Sequence, residues 1–209
     1  HDNMRGALNW KHEIRLCNAL TRYWQVRGFF EEGVRWLDRT LAEAANTEET
    51  AEKSRAFRGR GLLAYLQGDF SRSNSDFTQC LEIRTRLNDL KGVAESRQDL
   101  ATVAIAANEW DAAKQLLEDA LAFRRASSDH RGILVCLNNL GIVAINRHDL
   151  QTALQYYKEC LDGFRKLGDE RSVAGSMVNL GWISYAEGKF QEAHTYYEQG
   201  LTKIGRAHV

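Results

Sequence analysis

The chain has 209 residues, and its 28 lysines and arginines balance its 28 aspartates and glutamates. Because no net positive charge is available to hold a polyanion, no direct contact with nucleic acid is expected from this segment. No apolar run approaches the roughly 20 residues of a membrane-spanning helix and no signal-peptide pattern opens the sequence, so we expect a cytoplasmic protein without membrane contact.

The predicted elements are helices that follow one another as hairpins. Proline is absent, which favours uninterrupted helices turned by Gly, Asn and Asp. In the first hairpin, apolar residues recur at helical spacing over residues 13–26, and a second helix ends near Leu41. Ser71 and Asp111 are expected to cap two of the second helices. The four further hairpins pair helices at 50–67 and 71–87, 91–107 and 111–126, 131–147 and 151–167, and 170–187 and 191–203.

The hairpins recur with a fixed period of 40 residues. A fixed period of this length indicates stacked helical hairpins that form one continuous array rather than two globular domains. One leucine marks the end of each period: Leu41, Leu81, Leu121, Leu161 and Leu201.

Within this period, four positions have packing or turn roles. Small residues let the two helices of a hairpin approach closely. They are Gly61, Ala101, Gly141 and Gly181 on the first helices and Ser73, Ala113, Ala153 and Ala193 on the second. Large residues before the second helix are expected to fill the gap between helices: Phe70, Trp110, Leu150 and Phe190. The turn requires a positive φ, which suits its residues Gly28, Gly68, Asn108, His148 and Gly188.

Residues at these positions match a known repeat pattern. The match in the fourth repeat comprises Leu140-Gly141, His148-Asp149-Leu150, Ala153, Tyr157 and Leu161. This pattern resembles the tetratricopeptide repeat, in the longer variants of peptide-binding regulators and kinesin light chains. The resemblance implies an all-α solenoid of about five hairpins over residues 13–203, wound as a right-handed superhelix. Two features depart from the family: the terminal repeat proline is missing, and Arg60 replaces the apolar residue before Gly61.

The two ends of the sequence suggest a piece of a larger protein. HDNMRGAL, followed by LTRYWQVRGFFEEGVRWLDRTL, resembles the junction before the repeats of bacterial LuxR- and AfsR-type signal-transduction ATPases, with their MalT-like repeat region. The resemblance implies that residues 1–12 are a linker from an upstream domain. The last residues, IGRAHV at 204–209, resemble a translated sequencing adapter, so we expect a cloning or assembly scar there.

The sequence shows no catalytic, cofactor or metal motif. A GxGxxA match at residues 59–64 lies inside a repeat helix in register with Gly141, so packing explains it better than dinucleotide binding. The six histidines form no HExxH motif, and the cysteines form no CxxC pair, which predicts reduced thiols in a cytosolic protein. The cysteines are Cys17, Cys80, Cys136 and Cys160. We expect no enzyme activity from this segment.

The tetratricopeptide resemblance implies that the first helices line a concave groove that binds a protein or peptide. The groove residues carried over from the family pattern are Arg55, Arg58, Gln98, Asn138, Asn139, Asn146 and Asn179. An asparagine amide can donate to a peptide carbonyl and accept from a peptide N–H at once. Arg55 and Arg58, one helical turn apart, could hold a carboxylate or phosphate. In the alternative interpretation, Asn139 and Asn179 only bond neighbouring helices and the arginines are solvated.

Several protein contexts remain open at this point. The segment could be the sensor or interaction region of a larger bacterial regulator. It could also be a free-standing peptide-sensing regulator, an assembly or co-chaperone adaptor, or a part of an enzyme whose catalytic domain lies elsewhere. Self-association is also open.

Overall fold

The computed structural model describes residues 14–45 and 48–206, the last three of them as helical backbone only. These residues form ten α-helices and no strand. The helices are α1 Ile14–Arg27, α2 Phe30–Glu43, α3 Ala51–Leu66, α4 Phe70–Arg86, α5 Leu90–Ala106, α6 Trp110–Ala126, α7 His130–Asn146, α8 Leu150–Lys166, α9 Glu170–Ala186 and α10 Phe190–Arg206. None of these helices is long and apolar enough to cross a membrane.

The chain divides into two compact units, His1–Asn108 and Glu109–Val209. The first contains α1 to α5 and the second contains α6 to α10. Within each unit, consecutive helices pack against one another. The prediction of an all-α array of helical hairpins is thus confirmed. The predicted linker at residues 1–12 lies outside the described residues, as do residues 207–209 of the predicted scar, whereas 204–206 continue α10.

The turns between helices have the predicted geometry. All five predicted turn residues have positive φ, from 60° at Asn108 to 81° at Gly68. A second set at Asn88, Ser128 and Gly168, which joins one hairpin to the next, has φ values between 54° and 68°. The left-handed residue ends one helix and turns the chain into the next, so the helix after each of these turns begins only two residues later.

The helix N-caps differ from the prediction. Asp69, not Ser71, caps α4, and its carboxylate accepts a hydrogen bond from the backbone N–H of Arg72 at 3.0 Å. Glu109 precedes α6 and makes no capping bond, so the prediction for Asp111 is also wrong. In both turns the left-handed residue leads directly to the cap, so the helix begins earlier than the polar residues suggest.

Glycines on the first helices provide space for large side chains of the second helices. A Cβ atom added to Gly61 would lie 2.8 Å from the Phe77 ring, and one added to Gly141 would lie 2.6 Å from the Tyr157 ring. A Cβ atom at Gly181 would lie 2.8 Å from the ring of Tyr197. The predicted close approach at these positions is confirmed.

Two of the four residues expected to fill the gap between helices, Phe70 and Phe190, behave differently. Phe70 is 38% exposed and Phe190 is 64% exposed, and each is the first residue of its helix. Each ring instead packs on a tyrosine at the end of the preceding helix, Tyr65 or Tyr185, with ring centroids 5.5 Å apart. These aromatic residues therefore cover the turns and do not fill the space between helices.

All four cysteines are buried free thiols, as predicted. The pKa of Cys160 is raised to about 12, mainly because the thiol is buried. Burial also raises the pKa values of Cys80 and Cys136. Because the thiolate is the reactive form, we expect these thiols to be unreactive in the folded protein.

The departure from the family at Arg60 is matched by two carboxylates. The Arg60 guanidinium donates to both oxygens of Asp76, at 2.9 and 2.5 Å, and to Asp38 at 2.6 Å. The Nη2 atom of Arg72 also donates to both carboxylate oxygens of Asp38, at 2.7 and 2.8 Å. The Asp76 side chain is only 2% exposed, so this network places a charged pair where the later repeats carry uncharged residues.

Candidate functional site

The seven predicted groove residues all lie on first helices of hairpins. Arg55 and Arg58 are on α3 and Gln98 is on α5, in the first unit. The four asparagines are in the second unit, with Asn138, Asn139 and Asn146 on α7 and Asn179 on α9.

Three of the asparagines form a chain of side-chain hydrogen bonds, which we call the amide chain: Asn179, Asn138 and Asn139. The Nδ2 atom of Asn179 donates to Oδ1 of Asn138 at 3.2 Å, and Nδ2 of Asn138 donates to Oδ1 of Asn139 at 3.4 Å. All three side chains are half-buried. The amide chain therefore bridges α7 and α9 through Asn179, as the alternative interpretation expects for that residue, whereas Asn139 bonds a residue of its own helix.

The bridge uses only part of the hydrogen-bonding capacity of these amides. Among the described residues, neither Nδ2 of Asn139 nor Oδ1 of Asn179 has a partner. One end of the amide chain thus offers a donor and the other offers an acceptor. If all three amides flip together, the polarity reverses but one donor and one acceptor remain. A peptide group, with one C=O and one N–H, has the complementary set.

In the first unit, the equivalent positions are occupied by an ion pair. Arg58 and Asp99 lie two periods of 40 residues before Asn138 and Asn179. The Arg58 guanidinium donates to Asp99 through Nε at 2.5 Å and through Nη2 at 3.2 Å. Burial opposes the charge of Arg58, but the hydrogen bond and charge of Asp99 outweigh it and raise the Arg58 pKa. Arg58 is therefore already bound to a carboxylate of its own chain, and a ligand anion would compete with it.

The other predicted residues differ in how accessible they are. The Arg55 side chain is 61% exposed and lies 3.8 Å from Glu52, a weak surface pair. Gln98 is half-buried. Asn146 is exposed, and its Nδ2 donates to the carbonyl of Ile142 within α7 at 2.9 Å. The structure thus brings three of the seven residues together, and the assignment of all seven to ligand binding stays a prediction.

Sequence reasoning missed Asp99 and the bond between Asn138 and Asn179. Both rest on the same diagonal contact, from a residue on one first helix to the residue 41 positions later. The signal in the sequence was the opposite charge of Arg58 and Asp99 on this diagonal. The described residues contain no group of three or more His, Cys, Asp or Glu side chains that could hold a metal ion.

Comparisons with known proteins agree with this architecture. Two family models described as tetratricopeptide repeat match the sequence, one over residues 93–130 and one over residues 127–202. No curated protein matches the sequence significantly.

Solved structures share the fold at low identity. The kinesin light chain TPR-like repeats from Podosopora anserina are 20% identical, with 95% of this chain and 99% of theirs covered and a TM-score of 0.76. BtubC from P. vanneervenii is 16% identical, with 99% and 87% covered and a TM-score of 0.77. A Rap protein complexed with competence and sporulation factor is 18% identical with a TM-score of 0.80; 92% of this chain and 54% of that protein are covered. The chain therefore contains tetratricopeptide repeats, recognised by sequence over residues 93–202 and similar in fold to solved repeat proteins over most of its length.

Proposed function

We propose that this chain is a non-catalytic scaffold that binds an extended peptide segment of a partner on the first helices of its second unit. The observation that carries the proposal is the amide chain, which presents one unused donor and one unused acceptor. In this proposal, Asn139 donates to the carbonyl of a bound peptide group and Asn179 accepts from its N–H. Because both contacts are to main chain, they hold the segment with little regard to its side chains.

The amide chain suits this role energetically. A neutral hydrogen bond contributes about 0.5–1.5 kcal/mol net, so two contacts alone give only weak binding. The mutual bonds of Asn138 with its two neighbours already hold all three half-buried side chains in place. Less side-chain freedom is therefore lost when a peptide binds, which leaves more of each contact as affinity.

Proteins of similar fold support a peptide as the class of ligand. Besides the Rap complex above, a Rap conjugation gene regulator of plasmid pLS20 was solved with the Phr* peptide; it is 17% identical over 89% of this chain, with a TM-score of 0.76. The chain spans about half the length of these Rap proteins. We take from them the ligand class and not its sequence.

For the first unit, we propose a preference for an acidic or phosphorylated segment. The Arg55 side chain is largely exposed and its contact with Glu52 is long, so the guanidinium is accessible to an anion. The Arg15 side chain, 84% exposed, lies 3.9 Å from the same Glu52 carboxylate. The two arginines thus lie near one carboxylate, so the group keeps a net positive charge that can attract an anion.

We further propose that the scaffold serves as the sensor or interaction region of a larger bacterial regulator. The resemblance of the front of the chain to signal-transduction ATPases supports this context. A free-standing peptide-sensing regulator is the second candidate, favoured by the fold shared with the Rap proteins. The gene sequence upstream of the codon for His1 distinguishes them, because an ATPase context requires a P-loop there.

A display library of random dodecapeptides, selected on the chain, tests the peptide proposal. An enriched peptide is synthesised, and its affinity is measured by calorimetry for the parent, for Asn139→Ala with Asn179→Ala, and for Asn74→Ala. Asn74, an exposed asparagine on α4, is the matched control. We expect the double variant to lose about tenfold or more in affinity, since each removed contact is worth up to about 1.5 kcal/mol, and the control to bind like the parent. Failure to enrich any peptide, or equal binding by all three proteins, contradicts the proposal.

A further inference from the structure

The first helices of the second unit carry almost no charge. After their first turns, α7 from Gly132 to Asn146 and α9 from Ser172 to Ala186 contain no Asp, Glu, Lys or Arg. The first helices of the first unit are charged. For example, α3 carries Lys53, Arg55, Arg58 and Arg60. A charged segment placed along α7 and α9 would lose hydration without gaining an ionic partner, so this surface favours an uncharged ligand.

A strip of apolar side chains lies exposed on α9. Val178 is 39% exposed, Trp182 is 43% exposed and Tyr185 is 59% exposed. Their spacing of four and then three residues places them on one face of the helix. We call these three residues the α9 strip. Single exposed apolar residues are ordinary on protein surfaces, but a contiguous strip with a tryptophan at its centre is typical of a contact surface.

The α9 strip is a departure from the other repeats of the same chain. At the position of Val178, the earlier repeats carry Asn18, Arg58, Gln98 and Asn138, all polar. At the position of Trp182 they carry Arg22, Leu62, Thr102 and Ile142. The general packing of the array therefore does not require an apolar side chain at 178 or an aromatic one at 182.

The strip adjoins the acceptor end of the amide chain. Asn179 directly follows Val178 in the sequence, and Trp182 is three residues, roughly 4.5 Å of helix rise, further along α9. An extended peptide advances about 3.3 Å per residue, and its successive side chains point to opposite sides. A peptide group bound at Asn179 therefore brings one neighbouring side chain of the ligand within reach of the Trp182 ring.

We infer that the α9 strip selects the ligand by receiving a large apolar or aromatic side chain next to the peptide group that the amide chain holds. The ligand class is thus an extended, uncharged peptide segment with such a residue. This inference rests on the proposed peptide binding. It assigns specificity to Val178 and Trp182, whereas the asparagines supply contacts that do not depend on the ligand's side chains.

A double-mutant cycle tests the inference with a peptide enriched from the random dodecapeptide library. The cycle pairs Trp182→Ala with an alanine in place of the peptide's largest apolar residue, and calorimetry gives the four affinities. We expect Trp182→Ala to weaken the parent peptide about tenfold and to leave the alanine peptide unchanged, which is the signature of a direct contact. Val178→Asn, which restores the residue type of the earlier repeats, weakens the parent peptide in the same way. Phe70→Ala, at an exposed phenylalanine at the start of α4 in the first unit, is the control and binds like the parent.

The outcomes separate this inference from the proposed function. If Asn139→Ala with Asn179→Ala weakens binding but neither Trp182→Ala nor Val178→Asn does, peptide binding stands and the specificity role is overturned. Enrichment of acidic peptides whose binding is weakened by Asn139→Ala with Asn179→Ala also overturns it. If the parent enriches no peptide, both fall together. Light scattering supplies the last outcome: a parent dimer that Trp182→Ala dissociates would show that the strip binds a second copy of the chain. Circular dichroism confirms that each variant is folded.

Discussion

Replacement of Arg60 tests how the second repeat accommodates a charged side chain at the contact between its two helices. Its equivalents Leu100, Leu140 and Leu180 are 8%, 3% and 0% exposed, so this position belongs to the core. Replacing Arg60 with Leu supplies the usual residue but leaves the Asp76 carboxylate, 2% exposed, without its main partner. Removal of one member of a buried ion pair costs about 3–5 kcal/mol. We therefore expect Arg60→Leu to be strongly destabilising, although it brings the repeat closer to its family pattern.

The other repeats provide the compensating change. The third repeat combines Leu100 with Leu116 at the position of Asp76, and Leu116 is half-buried. The double variant Arg60→Leu with Asp76→Leu removes both charges, and replacement of a whole buried pair by apolar residues is often neutral or stabilising. Urea unfolding followed by circular dichroism measures both variants. A single variant as stable as the parent, or a double variant less stable than the single one, would refute the reasoning.

The pH dependence of stability tests the same ion pair, Arg60 and Asp76, independently. Burial raises the pKa of Asp76, and the hydrogen bond and charge of Arg60 oppose that rise. Without Arg60 the pKa rises further, so the folded variant holds its proton to higher pH than the unfolded chain does. For an acid with a raised pKa, stability is lost as pH increases through the folded-state pKa and is recovered below it. The stability deficit of Arg60→Leu should therefore shrink as pH falls below the raised folded-state pKa toward the ordinary aspartate pKa of about 3.9, and a constant deficit would contradict the assignment to Asp76.

Two further predictions concern packing and the thiols. Gly141→Ala should lower the free energy of unfolding by about 1–3 kcal/mol, because its Cβ would lie 2.6 Å from the Tyr157 ring. Gly175→Ala, whose Cβ would have nothing within 4 Å, should raise it by about 0.5–1 kcal/mol, because alanine has the higher helix propensity. Urea unfolding of the two variants checks these opposite signs. The four buried cysteines should not react with Ellman's reagent at about pH 8 until urea unfolds the chain. All four are buried, and burial raises the pKa values of Cys80, Cys136 and Cys160. A thiol that reacts rapidly in the native protein would disprove this.

The sequence was sufficient for those features that each repeat decides locally. The positive φ of Asn108 and His148 and the close approach at Gly141 follow from residue types at one register position, because backbone sterics and side-chain volume act within a few residues. The N-caps failed because the left-handed turn residue, and not the first polar residue after it, sets the start of the helix. Asp69, directly after Gly68, was the better signal.

Contacts made by charged side chains were harder to predict than these local features, because each contact depends on two positions that change together. Arg84 is buried and its Nη1 donates to the carbonyl of Gly92 at 2.9 Å, and a Cβ on Gly92 would lie 2.8 Å from the arginine side chain. Two periods later the same positions hold Phe164 and Ser172. An arginine at the first of these positions thus occurs with a glycine at the second, and a phenylalanine at the first occurs with a serine at the second. Comparison of repeats within the chain could have found this pair, but propensity or hydrophobic period could not.

The diagonal contact on the first helices makes possible a variant that separates folding from binding. Arg58 with Asp99 satisfies its hydrogen bonds internally, whereas Asn138 with Asn179 leaves a donor and an acceptor unused at the ends of the amide chain. Transplanting the first pair onto the second, as Asn138→Arg with Asn179→Asp, keeps the bridge between α7 and α9 and replaces its amides by groups that are bonded to each other.

The transplanted variant should fold like the parent, because the same pair already exists at the same positions of the first unit. Its urea midpoint should stay near that of the parent, while the affinity for a library-selected peptide should fall about tenfold or more through loss of the peptide-facing acceptor and the new charge. If the variant binds the peptide as tightly as the parent, the amide chain is only a structural bridge. If it loses stability as well as binding, the loss of affinity says nothing specific about the asparagines, and the alanine pair at 139 and 179 decides the question. Because only the chemistry at the bridge changes, a selective loss of binding would assign the ligand contact to these amides.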